Sequence, residues 1–158
     1  MRMISKAMLV SALAVLGACG GGSGGGGIAK IKGTWMPTTY LSTVTCGGIA
    51  STQNVGSNIV WSMGTTSDLI QTEAGSTCVL LADVTGYTAS AIPGQSCVQS
   101  DAVGDVINIT LTSYTFSLSA DYQTATEAGS GSAFVTFTDG SSATCVYSLQ
   151  ATYHKIGT

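Results

Sequence analysis

Positive charge is what this 158-residue chain has least of: five Lys and Arg stand against eight Asp and Glu, and only 8% of residues are charged. Beyond residue 27 the cations are Lys30, Lys32 and Lys155, with no arginine. Binding to nucleic acid draws on clustered Lys and Arg that displace counterions, so the composition excludes a nucleic-acid partner. The single histidine, His154, would have to serve any Ser/His/Asp site, yet no serine after Gly27 sits on a strand-to-helix elbow. Glu73, Glu127 and the aspartates show no spacing that selects the facing carboxylate pair of glycoside hydrolysis. Asp101 and Asp105 flank a loop, without the ligand ladder of an EF-hand. No C-x-x-C occurs, which removes thioredoxin-like and zinc-ribbon readings. The chain therefore reads as a non-enzyme with no cofactor and no metal. Long apolar runs are missing too: Ala7 to Leu16 is about half the ~20 residues that a helix needs to cross a bilayer.

That short run has a definite setting. Arg2 and Lys6 precede it and Leu16-Gly17-Ala18-Cys19 closes it, which is the charged, apolar, small-residue order of an export signal. Leu16-Gly17-Ala18-Cys19 resembles the lipobox of bacterial lipoproteins, and the resemblance implies that Cys19 becomes the lipidated first residue after cleavage. Gly20 to Gly27 follows, in which G-x-G-x-x-G and G-x-S-x-G matches arise from composition. A phosphate loop needs a strand before it and a helix after it. These glycines instead follow a signal, and as a tether they span roughly 16 Å. More than one acyl chain gives stable anchoring. The predicted organisation is a signal peptide over 1–18, the lipidated cysteine and tether over 19–27, and one domain over 28–158. Gly20 stands where enteric bacteria place an inner-membrane retention Asp, so by analogy the address is the outer membrane, on either its periplasmic or its surface face.

Cysteine parity agrees with this. Cys19, Cys46, Cys78, Cys97 and Cys145 form an odd set in a chain with export features. With Cys19 lipidated, Cys46, Cys78, Cys97 and Cys145 are left for two disulfides in an oxidising compartment, in any of three connectivities.

What fills the chain is alternation. Cys145, Tyr147, Leu149, Ala151 and Tyr153 alternate with Val146, Ser148, Gln150, Thr152 and His154, as one apolar face of a strand requires. Tyr114, Phe116, Leu118 and Ala120 form a second such face, Ile107, Ile109 and Leu111 a third, and Cys78, Leu80, Ala82 and Val84 a fourth. Asp139-Gly140 and Thr85-Gly86 read as hairpin turns; Pro93-Gly94 and Gly129-Ser130-Gly131 read as further turns. Ser67 to Ala74 could hold a short turn of helix. The expected fold is all-β, a single antiparallel domain of roughly eight strands, in a barrel or a sandwich. Its solvent face is mostly Ser and Thr, a weakly charged surface whose edge strands would pair readily.

Gly33-Thr34-Trp35 resembles the G-x-W opening of lipocalins and the G-T-W opening of avidins, both eight-stranded up-and-down barrels with a ligand cavity. In lipocalins an arginine from the last strands covers that tryptophan, and here there is none. If the barrel encloses a cavity, its lining would come from Trp35, Trp61, Tyr114, Phe116 and Tyr147, on apolar faces; otherwise those side chains simply fill the core. The functional expectation is a non-enzymatic envelope lipoprotein whose domain meets a protein or glycan partner, with Thr45 to Ser57 and Gln95 to Asp105 as the candidate contact loops. A lipocalin-like carrier of a small apolar ligand and an inhibitor of an exported hydrolase are the alternatives.

Overall fold

The computed structural model describes residues 25–100 and 103–158. The alternation of the sequence becomes the two sides of a curved wall. In the last strand Cys145, Tyr147, Leu149, Ala151 and Tyr153 are buried, while Val146, Ser148, Gln150 and His154 are exposed. Strands apolar on one side only can cover one another by closing on themselves.

A short helix α1 (Gly25–Ile31) leads into β1 (Gly33–Cys46), β2 (Ile49–Gln53), β3 (Ile59–Met63), β4 (Leu69–Glu73) and β5 (Val79–Thr85). Then come β6 (Thr88–Ala91), β7 (Ser96–Ser100), β8 (Val106–Leu118), β9 (Thr124–Thr136) and β10 (Ser142–Gly157). The order β1-β3-β4-β5-β6-β8-β9-β10 is an antiparallel meander, closed where β10 pairs with β1. Eight strands thus form an up-and-down barrel, and β2 and β7 are additional.

Strand length gives the barrel two unlike ends. β1, β8, β9 and β10 have 14, 13, 13 and 16 residues, against 5, 5, 7 and 4 for β3 to β6. The long strands project beyond the short ones, and β2 and β7 pair with the projecting parts of β1 and β8. Both expected contact loops therefore contain a strand, and both lie at this open end. Gln95 bridges the gap where β6 has stopped: its amide accepts from Leu81 N at 2.7 Å and donates to Leu81 O at 2.7 Å and to Ile92 O at 2.8 Å. Of the three possible connectivities the structure has Cys46–Cys145 and Cys78–Cys97, with Cα atoms 4.4 and 5.4 Å apart. The first clamps β1 to β10; the second ties β7 to the start of β5.

The other end is filled. Trp35, Trp61 and Phe116 are fully buried, with ring centroids 5.2 and 5.5 Å from Phe116 to the two tryptophans. Helix α1 lies beneath them: Ile31 is fully buried, and Trp35 Nε1 donates to its carbonyl at 2.8 Å. Lys155, on the last strand, places Nζ 5.2 Å from the Trp35 ring centroid.

Several expectations are corrected. Gly129-Ser130-Gly131 is no turn: it lies inside β9, paired on one side with β8 and on the other with β10. Ladder hydrogen bonds on both sides override the local preference of glycine. Ser67 to Ala74 contains β4 rather than helix, with Leu69 and Gln71 both buried; a polar inward residue had hidden the alternation. The segments around Ile109 and Tyr114 are one strand, and a bulge between Leu111 and Ser113 shifts the inward parity from odd to even. Pro37 sits at a similar irregularity in β1. Gly25 to Gly27, assigned by sequence to the tether, begin α1, and Gly27 is buried against the Gly86 turn. Asp139-Gly140 and Gly86 do form hairpin turns, with positive φ at both glycines.

Candidate ligand cavity

Layer by layer, the ladders β8-β9-β10 show what fills the barrel. Leu118, Ala125 and Tyr153 share a level, followed by Phe116, Glu127 and Ala151. Next come Tyr114, Gly129 and Leu149, then Leu111, Gly131 and Tyr147. Two consecutive inward positions of β9 thus carry no side chain. A Cβ on Gly129 would lie 3.4 Å from the Tyr114 ring, and one on Gly131 would strike the Thr110 carbonyl. The interior is filled at the helix end and hollow toward the open end.

The hollow is a cavity of about 170 Å³. Its apolar wall includes Ile109, Leu111 and Leu149; its polar wall includes Gln71, Glu73, Glu127 and the tyrosines Tyr40, Tyr114, Tyr147 and Tyr153. Gln53 of β2 and Gln99 of β7, both exposed, border it at the open end, as does the Cys78–Cys97 disulfide.

Glu127 organises the inner end and is only 4% exposed. Tyr114 donates its hydroxyl to Glu127 Oε1, Gln71 Nε2 donates to the same oxygen at 3.2 Å, and Tyr153 donates to Oε2 at 2.7 Å. These donors come from β8, β4 and β10, so the carboxyl reaches across the barrel interior. Burial pushes its pKa above the ordinary carboxylate range, against the opposing pull of the three donors. Glu73 is raised as well, chiefly by burial, while the amide and hydroxyl of Ser57 donate to it and pull the other way. Tyr40 is pushed up to about 12 by burial and by the charges of Glu73 and Glu127. Tyr114, Tyr147 and Tyr153 are shifted upward too, with burial the largest cause in each. These hydroxyls stay protonated, and those of Tyr114 and Tyr153 are committed to Glu127.

The five predicted cavity residues separate into two groups. Tyr114 and Tyr147 line the cavity; Trp35, Trp61 and Phe116 are packed together as its floor. Sequence reasoning missed Glu127, Gln71, Tyr40 and Tyr153 as a group. The parity of Glu127 with Ala125, Ala133 and Val135 could have found it, but the Gly129–Gly131 reading broke the run. Spacing selected no carboxylate pair, yet the fold brings Glu73 and Glu127 to one cavity wall. His154 is exposed on β10, and Asp105 Oδ1 accepts from Thr138 N at 2.9 Å. Among the described residues no group of three or more His, Cys, Asp or Glu is placed to hold a metal. Cys19 and Asp101 lie outside the described residues.

In comparisons with known proteins, no family model, no curated protein and no solved structure matches this chain.

Proposed function

We propose that the barrel is a non-enzymatic binding module for a small molecule, held at the cell envelope by a lipid on Cys19. The observation that carries this is the cavity itself. A closed barrel of this size can be filled by its own side chains; here a hollow of about 170 Å³ remains, and a hydrogen-bonded carboxyl stands at its inner end. Convergent polar groups in an otherwise apolar concavity are the ordinary form of a small-ligand site. Ligand atoms would enter from the open end and meet Glu127 last. Both oxygens of Glu127 are engaged by fixed donors, an arrangement suited to holding a ligand group in place.

The two ends of the barrel also suit a tethered module. The chain enters the described structure at Gly25, beside the helix end, whereas the cavity opens at the opposite end. Lys30 and Lys155 lie together at the helix end, where Lys155 Nζ donates to Lys30 O at 2.5 Å. A lipid attached through a short tether would place this end toward the membrane and leave the mouth facing away. Incorporation of labelled fatty acid into the precursor, lost in Cys19→Ser, tests the anchor.

Ligand-observed NMR with a library of single-ring compounds tests the site. Binders are expected to shift the amides of Tyr114, Glu127 and Tyr147, and to be lost in Ser42→Trp, which fills the cavity from β1. A library without one such binder would refute the reading. Tryptophan emission is the wrong reporter, because Trp35 and Trp61 belong to the floor.

A macromolecular partner remains the second reading, supported by β2 and β7. Both are largely exposed strands without a charged residue, at the sides of the mouth, and such edges accept an added strand.

A further inference from the structure

We propose that the ligand is a small organic cation: an ammonium group on a compact apolar body, with the Glu127 carboxylate as counter-ion. The inference rests on the small-molecule reading above and adds the chemical class. A carboxyl in an apolar interior is costly unless its charge is balanced. Glu127 is held by three donors, all of them neutral. No lysine or arginine is among the residues that line the cavity, while Glu73 adds a second acid to the same wall. Lys30 and Lys155 are occupied at the far end of the barrel, over Tyr122 and Trp35. The interior therefore carries acidic groups and no cation to balance them.

Each ligand class would meet this wall differently. An anion would face Glu73 and Glu127 together. A neutral alcohol would gain one ordinary hydrogen bond. An ammonium group would gain a charge-assisted hydrogen bond to the carboxylate and offset the cost of burying it. Tyr40, Tyr114, Tyr147 and Tyr153 surround the space with aromatic rings, which tolerate a cation as aliphatic walls do not. Size restricts the body of the ligand. The cavity of about 170 Å³ is close to the ~150 Å³ of an engineered apolar cavity that accepts benzene. One ring and a short aminomethyl arm fill it, with the ring against Ile109, Leu111 and Leu149.

Three probes of nearly one shape separate the classes: benzylammonium, benzyl alcohol and benzoate, each titrated calorimetrically into the disulfide-intact domain at neutral pH. Benzylammonium is expected to bind at least about tenfold tighter than the alcohol, a difference of ~1.4 kcal/mol, and benzoate not to bind. Glu127→Gln should weaken benzylammonium on the order of thirtyfold, the scale of removing one partner of a buried charge pair, and weaken benzyl alcohol by a clearly smaller factor. Repeating the titration in two buffers of different ionisation enthalpy should show proton release, because the cation favours the ionised carboxyl. Should Glu127→Gln not fold, Glu73→Gln gives the second arm, with a severalfold loss expected for benzylammonium alone. Equal or tighter binding of benzyl alcohol or benzoate would overturn the cation assignment while sparing the small-molecule reading. So would benzylammonium affinity unchanged in both variants. Failure of all three probes, with Ser42→Trp indistinguishable from the parent, would remove both.

Discussion

Removing the two disulfides one at a time should give unequal losses of stability, and the inequality is set by chain length. Cys46 and Cys145 are 99 residues apart in sequence; Cys78 and Cys97 are 19 apart. A crosslink acts largely on the unfolded ensemble, by removing loop-closure entropy that grows with the logarithm of the loop. The long loop is then worth ~4.7 kcal/mol and the short one ~3.3 kcal/mol at 25 °C. The folded side of the balance changes little for the first pair, because the neighbouring rung Thr45 with Val146 keeps β1 on β10. The assay is urea unfolding of Cys46→Ala/Cys145→Ala and of Cys78→Ala/Cys97→Ala beside the parent. With a slope of about 1.5 kcal/mol per molar, the midpoints should fall by ~3 M and ~2 M. The second variant has a local effect that the first lacks: it frees β7 from the start of β5, beside the cavity. Ligand binding should suffer more in the variant that is destabilised less. A larger loss of stability from the Cys78–Cys97 pair would refute the loop-entropy reasoning.

Glu127 supplies a pH test. Its folded pKa is raised, so the folded state holds the proton more tightly than the unfolded state. The stability from this group is full below the unfolded value of about 4.3 and is lost as pH rises through the folded value. Between those values the parent should lose up to about 1.4 kcal/mol per pH unit relative to Glu127→Gln; parallel melting curves from pH 4 upward would contradict this. Phe116→Ala should cost ~3–5 kcal/mol, since that ring meets Trp35, Trp61 and Tyr153 in the filled end. A loss below 1 kcal/mol in chemical denaturation would show that the floor repacks. The glycines of α1 should respond with opposite sign. A Cβ on Gly27 would overlap the Gly86 carbonyl, whereas one on Gly25 or Gly26 meets nothing within 4 Å. Gly27→Ala should destabilise by ~1–3 kcal/mol; Gly26→Ala should stabilise by up to ~1 kcal/mol through helix propensity. Equal melting temperatures for the two would place α1 off the barrel.

Local pattern carried much of the fold and little of the site. The faces of β5, β8 and β10 were legible because side chains alternate along any strand, whatever it pairs with. The hairpins at Gly86 and Asp139-Gly140 were legible because turn residues act within a few positions. Tyr114 and Tyr147 were found as inward aromatics by the same rule. Trp35, Trp61 and Phe116 obey that rule equally, and only their position along the barrel makes them floor rather than wall. Glu127 and Gln71 were invisible for a different reason. A polar residue on an inward face looks like a break in the pattern until its partners arrive, and those of Glu127 are 13, 26 and 56 residues away.

From sequence alone, then, came the all-β class, the antiparallel hairpins and a cysteine count that left two disulfides, all of which follow from short-range periodicity and parity. Tertiary structure decided the rest: closure of β10 on β1, the choice among three disulfide pairings, and the hollow with a carboxyl at its inner end. Each of these depends on which distant strands meet. Distance along the chain sets no such meeting, because registers are chosen by the packing of the whole barrel at once.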